Sequence, residues 1–440
     1  MKDRKKIFDL VKKYYKNHNI PSKFVKGKSA IPVSGKVLDA NDIIHIVDSA
    51  LDGWLTTGRF NKKFEKEIAI NIGAKIAITT TSGSSANLIA FSTLRSPLLG
   101  ERQLQKGDKV ITVAASFPTT INPIIQNDCI PKFLDIELPT YNINADKIEK
   151  NICEKTKAIM VAHTLGNPYD LEKIREICDK HKLWLVQDCC DAFGAKFNNK
   201  HLGSFGDIGT LSFYPAHHIT TGEGGAVFTN NIRLKRIAES IRDWGRDCYC
   251  ETGKDNTCGK RYCWKLGDLP YGYDHKYTYS HLGYNLKITD MQAACGYSQI
   301  KKLKKFVKKR IENFEYLNSK FQKLNNIFIL PKKTSNSQPS WFGYLLTIKP
   351  EVKIDRNEIL NYLNQNNIGT RLLFSGNVTK QPYMKNINYE VCETLANSDL
   401  VMNNSFWVGV YPGLNKSMLD YIYYTVESFL KKKHFINANK

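Results

Sequence analysis

Short apolar runs alternate with helix-like stretches from about residue 74 onward, and this alternation leaves few folds open to the chain. The apolar runs are residues 76–80, 109–113, 158–162, 184–186 and 210–213. Helix-like stretches such as 170–182 lie between them. Strands separated by helices need crossover connections, which produce a mainly parallel sheet with helices on both faces. The sequence therefore predicts an α/β fold.

The 440 residues are enough for one large domain and a smaller one. We expect an N-terminal helical segment over residues 1–40 and a large domain over 41–290. Residues 291–440 are expected to form a linking helix and a small α/β C-terminal domain. The link begins with a long helical segment over about 288–324.

A loop-like stretch at 247–284, rich in Gly, Asp, Tyr and Cys, interrupts the large domain. Connections in compact domains are usually about 2–6 residues long, and much longer ones tend to carry function. We therefore expect this loop to take part in binding or catalysis.

The charge balance is strongly basic, with 64 Lys and Arg against 42 Asp and Glu and a net charge of +22. Such a charge suits nucleic acid, and it also suits a small anion such as a nucleotide diphosphate. The basic residues are spread along the chain without a nucleic-acid motif, so we expect no nucleic acid partner. The charged first residues and the lack of ~20 consecutive apolar residues predict a cytoplasmic protein without membrane spans.

A phosphate-binding turn is predicted at Ser82-Gly83-Ser84-Ser85, which follows an apolar strand and opens an apolar helix. Small residues at such a junction expose backbone N–H groups, and the helix dipole favours an anion there. Ser and Thr are also ordinary helix caps, so this pattern alone leaves both interpretations open.

A carboxylate ends the apolar strand that starts at Trp184. An acid at the carboxyl end of a parallel strand points into the ligand crevice, and Asp188 has this position. There it could pair with the pyridine nitrogen of pyridoxal phosphate (PLP). The alternative is that Asp188 caps the following helix.

The most specific segment runs from Ser212-Phe213 through His217 to Gly222-Glu223-Gly224-Gly225. It resembles the DegT/StrS family of sugar aminotransferases and dehydrases, whose members have the fold-type I PLP architecture. That family usually carries a lysine five residues after the serine, and His217 stands at this position. Further matches to the family are Gly58-Arg59-Phe60, Ser116-Phe117-Pro118, residues 163–168 and Gly283-Tyr284-Asn285.

The resemblance implies roles for several other residues. It places Phe117 on the cofactor ring, Asp188 at the pyridine nitrogen and Arg371 at the substrate. It also implies a homodimer, because Asn285 matches a residue that reaches the phosphate of the neighbouring subunit. The residues that it implies as phosphate contacts are Gly83, Ser84, Ser85 and Ser212.

A histidine at position 217 changes the expected chemistry. An imidazole cannot condense with the cofactor aldehyde, so the cofactor would be held noncovalently as pyridoxamine phosphate (PMP). Imidazole titrates near pH ~6.5 and is suited to proton transfer. We predict that His217 takes a proton from C4′ of PMP while the C3 hydroxyl of a 4-keto-6-deoxy sugar leaves. The alternative is a structural histidine in a protein without catalysis, and His218 is the second candidate base.

Four of the eleven cysteines, Cys190, Cys248, Cys250 and Cys258, have the spacing C-x57-C-x-C-x7-C. Four thiolates suit either an iron–sulfur cluster or zinc. Cys263 could replace Cys190, and unliganded thiols are a further alternative.

This spacing resembles the iron–sulfur 3-dehydrases of the same family. The resemblance implies a 2Fe–2S cluster and a CDP-linked sugar substrate. It further implies an NADH-dependent reductase with flavin and iron–sulfur centres as partner, and a role in 3,6-dideoxysugar (O-antigen) biosynthesis. The family's GDP-sugar 3-dehydrases, which have the histidine but no cluster, are the alternative.

Overall fold

The computed structural model describes residues 2–20, 23–250 and 252–436. The α-helices are α1 Lys2–His18, α2 Ala40–Ala50, α3 Arg59–Ile72, α4 Gly83–Thr93, α5 Pro118–Gln126, α6 Leu171–Lys180, α7 Ile232–Arg242, α8 Asp290–Ile300, α9 Leu303–Phe321, α10 Arg356–Gln365, α11 Ala396–Asn404 and α12 Lys416–Lys432. The strands are β1 Ile76–Thr80, β2 Lys109–Val113, β3 Ile130–Leu134, β4 Thr156–Ala162, β5 Trp184–Asp188, β6 Lys196–Phe197, β7 Lys200–His201, β8 Ile208–Ser212, β9 Gly225–Thr229, β10 Phe328–Ile329, β11 Ser337–Gln338, β12 Gly343–Ile348, β13 Glu390–Val391 and β14 Ser405–Gly409.

The central sheet has eight strands in the order β1-β9-β8-β5-β4-β2-β3-β13. Strand β9 runs antiparallel to both of its neighbours, and the other pairings are parallel. This arrangement confirms the predicted α/β fold with a mainly parallel sheet. The carboxyl ends of the parallel strands, where ligands bind in such sheets, lie at one edge.

Alternate residues of the central strands belong to two different apolar clusters. In β2, Ile111 joins the larger cluster and Val110 joins the other. In β5, Leu185 joins the larger cluster, and Trp184 and Val186 join the other. Since side chains of a strand alternate between faces, both faces of the sheet are buried. This explains why the strands appear in the sequence as continuous apolar runs.

A second sheet, with the order β10-β12-β14, has an apolar cluster of its own. Helices α9, α10 and α12 supply much of that cluster, including Phe314, Leu363 and Phe429. The domain boundaries that we expect from the sequence stay predictions.

The long helical segment expected over 288–324 consists of two α-helices. Helix α8 ends at Ile300 and α9 begins at Leu303. At the junction Lys302 contacts the carboxylates of Asp39 and Asp42, at 2.9 and 2.6 Å. These partners lie far away in the sequence, and the local helical pattern contains no sign of them.

The loop at 247–284 is closed at its base against the edge of the central sheet. Isolated bridges pair Asp243 with Asn285 and Arg246 with Tyr279. The Thr81 amide, just after β1, donates to the Leu286 carbonyl at 2.9 Å. The cysteine-rich loop is therefore attached at β1, next to the predicted phosphate-binding turn.

Candidate functional site

The residues predicted for the cofactor lie beyond the carboxyl ends of parallel strands. Ser82 and Gly83 follow β1, and Phe117 follows β2. Asp188 ends β5 and Ser212 ends β8. The topology of the sheet thus gathers segments that are up to about 130 residues apart in the chain.

The start of α4 forms a compact turn against the end of β8. The Ser82 hydroxyl accepts from the Ser85 amide at 3.0 Å and caps the helix. A Cβ at Gly83 would lie only 2.6 Å from the Ser212 Cβ. Glycine is therefore required for this close approach, and a helix N-terminus so arranged is suited to bind a phosphate.

Asp188 is buried and held by hydrogen bonds on both oxygens. Its Oδ2 accepts from the Asn87 side chain at 2.8 Å and from the Thr120 hydroxyl at 2.7 Å. Its Oδ1 accepts from the Cys190 amide at 3.1 Å. These hydrogen bonds fix the orientation of the carboxylate, and an aspartate in this place can pair with a pyridine nitrogen.

The Phe117 ring is an exposed aromatic beside this carboxylate-bearing strand end. The residue is 48% exposed although it caps the buried helix α5. Its ring meets Phe374 edge-on, with centroids 6.3 Å apart. An exposed ring face of this kind is available to stack on a planar ligand.

His217 lies in the turn after β8 and faces a carboxylate. Its Nδ1 is 3.4 Å from Asp191 Oδ1, and both side chains are largely buried. Burial raises the pKa of Asp191, and the nearby His217 side chain opposes this rise. The His217 ring also packs on Phe342, with centroids 5.0 Å apart.

His218 points elsewhere. Its Nε2 is 2.8 Å from the Ser340 carbonyl, and the side chain is buried. Burial lowers the pKa of His218 well below its ordinary value, with Arg310 adding to the effect. A histidine that stays neutral and is bonded to a carbonyl is poorly suited to act as a base.

Arg310 of α9 is almost fully buried and joins two segments of the site. It donates to the Ala216 and His217 carbonyls at 3.3 and 3.1 Å. It also donates to the Trp341 and Phe342 carbonyls at 3.3 and 3.2 Å. Burial lowers the pKa of Arg310 to about 10, so the guanidinium remains charged near neutral pH.

Three of the four predicted cluster ligands lie together. The Cys250 thiol is in hydrogen-bonding contact with the thiols of Cys248 and Cys258, and hydrogen bonds, first that of Thr257, lower the pKa of Cys250 to about 7. Cys248 and Cys250 also line a cavity of about 1020 Å³ beside α3 and α7.

Cys190 does not join these three. Its sulfur lies 3.0 Å from where a Cβ of Gly83 would be, beside Ser212. Burial, followed by the charge of Asp188, raises its pKa well above the ordinary value. Within residues 2–20, 23–250 and 252–436, no group of three or more His, Cys, Asp or Glu side chains has the geometry of a metal site. In the described residues the four cysteines are therefore not gathered at one metal site.

Asn285 and Arg371 lie outside the group around Asp188. The Asn285 side chain accepts from Lys287 at 3.0 Å. The Arg371 backbone pairs with Trp407, whose ring packs on Phe342, with centroids 5.4 Å apart. Phe342 thus lies between Trp407, the bridge partner of Arg371, and His217.

Four residues that shape this site are not predicted from the sequence: Asn87, Thr120, Asp191 and Arg310. Asn87 and Thr120 each lie two residues beyond a predicted motif, Ser82–Ser85 and Ser116–Pro118, and a polar residue in an apolar stretch is the available signal. Asp191 follows Asp188 by three positions, so its place in the same strand-end turn could have been inferred. Nothing local distinguishes Arg310 from its neighbouring lysines in α9.

These observations test the fit of a phosphopyridine cofactor. The turn at Gly83 is too tight for a side chain, Asp188 is a buried and oriented carboxylate, and Phe117 is an available aromatic face. All three fit a PLP or PMP molecule. The fold and the site define a PLP-dependent protein of fold-type I.

A family model for the DegT/DnrJ/EryC1/StrS aminotransferase family matches residues 37–427. The chain therefore belongs to this family. It is 56% identical over 426 residues to the lipopolysaccharide biosynthesis protein RfbH of Salmonella typhimurium, covering 97% of this chain and 98% of that one. It is 48% identical over 431 residues to dTDP-4-dehydro-2,6-dideoxy-D-glucose 3-dehydratase of Saccharopolyspora spinosa, covering 98% and 92%.

A solved structure with the same fold is that of E. coli GDP-4-keto-6-deoxy-D-mannose-3-dehydratase with bound hydrated PLP. It superposes with a TM-score of 0.80 at 29% sequence identity, and the match covers 90% of this chain and 99% of that one. Among the described residues, no helix has both the length and the apolar composition to cross a membrane.

Proposed function

We propose that this protein is a PMP-dependent 3-dehydratase of a nucleotide-linked 4-keto-6-deoxyhexose, acting in the biosynthesis of a lipopolysaccharide sugar. The observation that carries the proposal is the His217 imidazole facing the Asp191 carboxylate, at the position where the sequence pattern of the family leads us to expect a lysine. Two relatives with high coverage are named as 3-dehydratases, which supports the same reaction.

When bound, PMP supplies an amine that condenses with the C4 ketone and a conjugated ring that accepts electrons. The start of α4 and Ser212 hold the phosphate, and Asp188 holds the pyridine nitrogen in its protonated form. Phe117 covers the ring. These contacts retain the cofactor without a covalent bond to the chain.

His217 is the base in this proposal. Its ring takes the proton that leaves C4′ of the cofactor, and the C3 hydroxyl of the sugar departs as water. Near neutral pH an imidazole both accepts and returns a proton. A lysine at this position would instead bond to the cofactor aldehyde and favour amino transfer.

The substrate is an anion, which fits the net charge of +22. We propose that Arg371 contacts the substrate and that Asn285 of each subunit reaches the phosphate site of its partner in a homodimer. We propose CDP as the nucleotide because the cysteine spacing resembles that of the iron–sulfur 3-dehydrases, whereas these two relatives are named for dTDP and GDP sugars.

We further propose a 2Fe–2S cluster at Cys248, Cys250 and Cys258, with electrons supplied by an NADH-dependent flavin and iron–sulfur reductase. The contacts among the three thiols support it. A fourth thiolate is needed, and Cys190 and Cys263 are the two candidates. We derive no reaction step through the cluster.

The ligand question has a direct test. Iron and sulfide are measured in anaerobically purified wild type, Cys190→Ala and Cys263→Ala. The cluster proposal requires about two irons and two sulfides per chain in the wild type. Loss in only one variant identifies the fourth ligand. A wild type without iron would leave the cluster-free GDP-sugar type of dehydratase as the function.

The base is tested with His217→Asn. The variant should bind PMP, as seen by absorbance, and lose both sugar dehydration and solvent deuterium exchange at C4′. His181→Asn is the control, because His181 lies at the surface beside Glu149. Borohydride treatment of wild type with PLP should leave no covalent adduct. Unchanged exchange in His217→Asn would remove His217 as the base.

A further inference from the structure

Buried polar atoms of His217 and Asp191 face each other. His217 Nδ1 and Asp191 Oδ2 are buried atoms without a hydrogen bond, and Nδ1 lies 3.4 Å from Asp191 Oδ1. An unsatisfied buried polar atom costs about 1–3 kcal/mol. A small rotation of either side chain would bring Nδ1 into a hydrogen bond with the Asp191 carboxylate.

The backbone on each side of this pair is fixed. On the His217 side, Arg310 holds the carbonyls of residues 216 and 217. On the Asp191 side, a Cβ at Gly166 would lie 2.7 Å from the Asp191 carbonyl oxygen, so the two backbones are in close contact. Gly166 has a φ of +85°, a conformation that favours glycine. Neither residue can leave the pair by a simple shift of its main chain.

We infer that Asp191 is a positioning residue for His217. Its carboxylate accepts a hydrogen bond from the Nδ1–H group, which leaves the lone pair of Nε2 free to face the reacting carbon. The inference rests on the proposed role of His217 as base. A neutral imidazole carries its proton on one nitrogen only, and the partner of that nitrogen decides which one it is. A carboxylate at Nδ1 leaves Nε2 as the acceptor.

The charges around the pair support the same orientation. When His217 takes up the proton, the imidazolium faces the Asp191 carboxylate across about 3.4 Å. The guanidinium of Arg310 is the nearby cation and Asp188 the nearby anion that act on Asp191. An anion beside a forming imidazolium stabilises it, as in other histidine bases oriented by a carboxylate.

The test is the tautomer of His217 in the cofactor-free protein. Nitrogen-15 NMR separates Nδ1–H from Nε2–H imidazoles, and the His217 signals are those absent from His217→Asn. In the wild type at alkaline pH we expect the Nδ1–H form. In Asp191→Ala we expect Nε2–H, the form that free imidazole favours. Asp179→Ala, an exposed acid on α6, should leave the spectrum unchanged.

Asp191→Asn keeps the shape of the side chain and guards against misfolding of the alanine variant. With bound PMP and sugar we expect its kcat to fall on the order of 10²-fold with KM nearly unchanged, because only proton transfer is affected. An Nε2–H wild type, or an Asp191→Ala variant that keeps the wild-type tautomer, overturns the inference. A correct tautomer in a protein without dehydratase activity would instead count against the proposed function.

Discussion

Replacing Arg310 by methionine should remove the hydrogen bonds that hold the segment carrying His217. The guanidinium donates four hydrogen bonds to main-chain carbonyls, at 3.1–3.3 Å. A hydrogen bond from a charged donor contributes about 1.5–3 kcal/mol. Even at the lower value, losing all four costs about 6 kcal/mol, since a methionine thioether supplies no donor.

The cost of burying the charge offsets part of this loss. Burial lowers the pKa of Arg310 to about 10, and at ~1.4 kcal/mol per pH unit this shift corresponds to about 3 kcal/mol. Methionine avoids that cost. The net destabilisation is therefore about 3 kcal/mol. The loss of the hydrogen bonds exceeds the gain from removing the buried charge, because the four carbonyl acceptors stay buried without a donor.

Thermal unfolding checks the stability part. For a domain of this size about 3 kcal/mol lowers the Tm by on the order of 4 °C. Lys309→Met is the matched control, because Lys309 precedes Arg310 on α9 and makes an exposed pair with Glu312. Exposed pairs contribute about 0–1 kcal/mol, so this variant should unfold close to the wild type.

Activity checks the positioning part. With its carbonyl released, His217 should lose its fixed place, and dehydration should slow by at least ~10-fold while the variant still binds PMP. Arg310→Lys should recover only part of both effects, since one ammonium does not span two pairs of carbonyls. Arg310→Met with the stability and rate of Lys309→Met would refute the reasoning.

Three further perturbations test the site and its surroundings. Gly83→Ala should abolish PMP binding in absorbance titrations, because the added Cβ would lie 2.6 Å from the Ser212 Cβ; wild-type affinity would contradict the phosphate turn. Asp188→Asn should weaken PMP binding by at least ~10-fold, since an amide does not neutralise a protonated pyridine, and equal affinity would remove Asp188 from that role. Burial lowers the pKa of His163 to about 4, so the unfolded chain binds this proton first as the pH falls from about 6.5 to 4. Stability from this group is present above about 6.5 and lost below it at up to ~1.4 kcal/mol per pH unit; the Tm of His163→Gln should fall less than that of the wild type between about pH 7 and 5.

The sequence predicts well those parts of the fold and site that depend on local patterns, such as a continuous apolar run and the residues directly after it. The strands at 76–80 and 109–113 have the predicted bounds, because fully buried parallel strands appear as continuous apolar runs. Ser82 and Asp188 follow such runs directly. Their position at the ligand edge of the sheet then follows from the topology.

The contacts that complete the site are long-range and leave no local pattern. Arg310 reaches the carbonyl of a residue 93 positions away, in a helix whose other basic residues are mostly exposed. Cys190 has the family's spacing to Cys248, yet its sulfur lies at the Gly83 turn. A spacing of residues fixes which side chains are available, and the packing of the chain decides which of them meet.

A histidine at position 217, where a lysine is expected in the family, gives a physical reason for the contacts around this position. A lysine bonded to the cofactor is positioned by that bond, so its surroundings need only admit it. An imidazole has no such tether, and its geometry must come from the protein. Arg310 supplies this through the main chain and Phe342 through its ring, at 5.0 Å between centroids. Asp191 is placed to fix the orientation of the imidazole by contact with Nδ1. The substitution His217→Lys would therefore bring a cation close to the buried Arg310. The Asp191 carboxylate would then face two positive charges. We expect such a variant to need further changes around Arg310 before it regains stability.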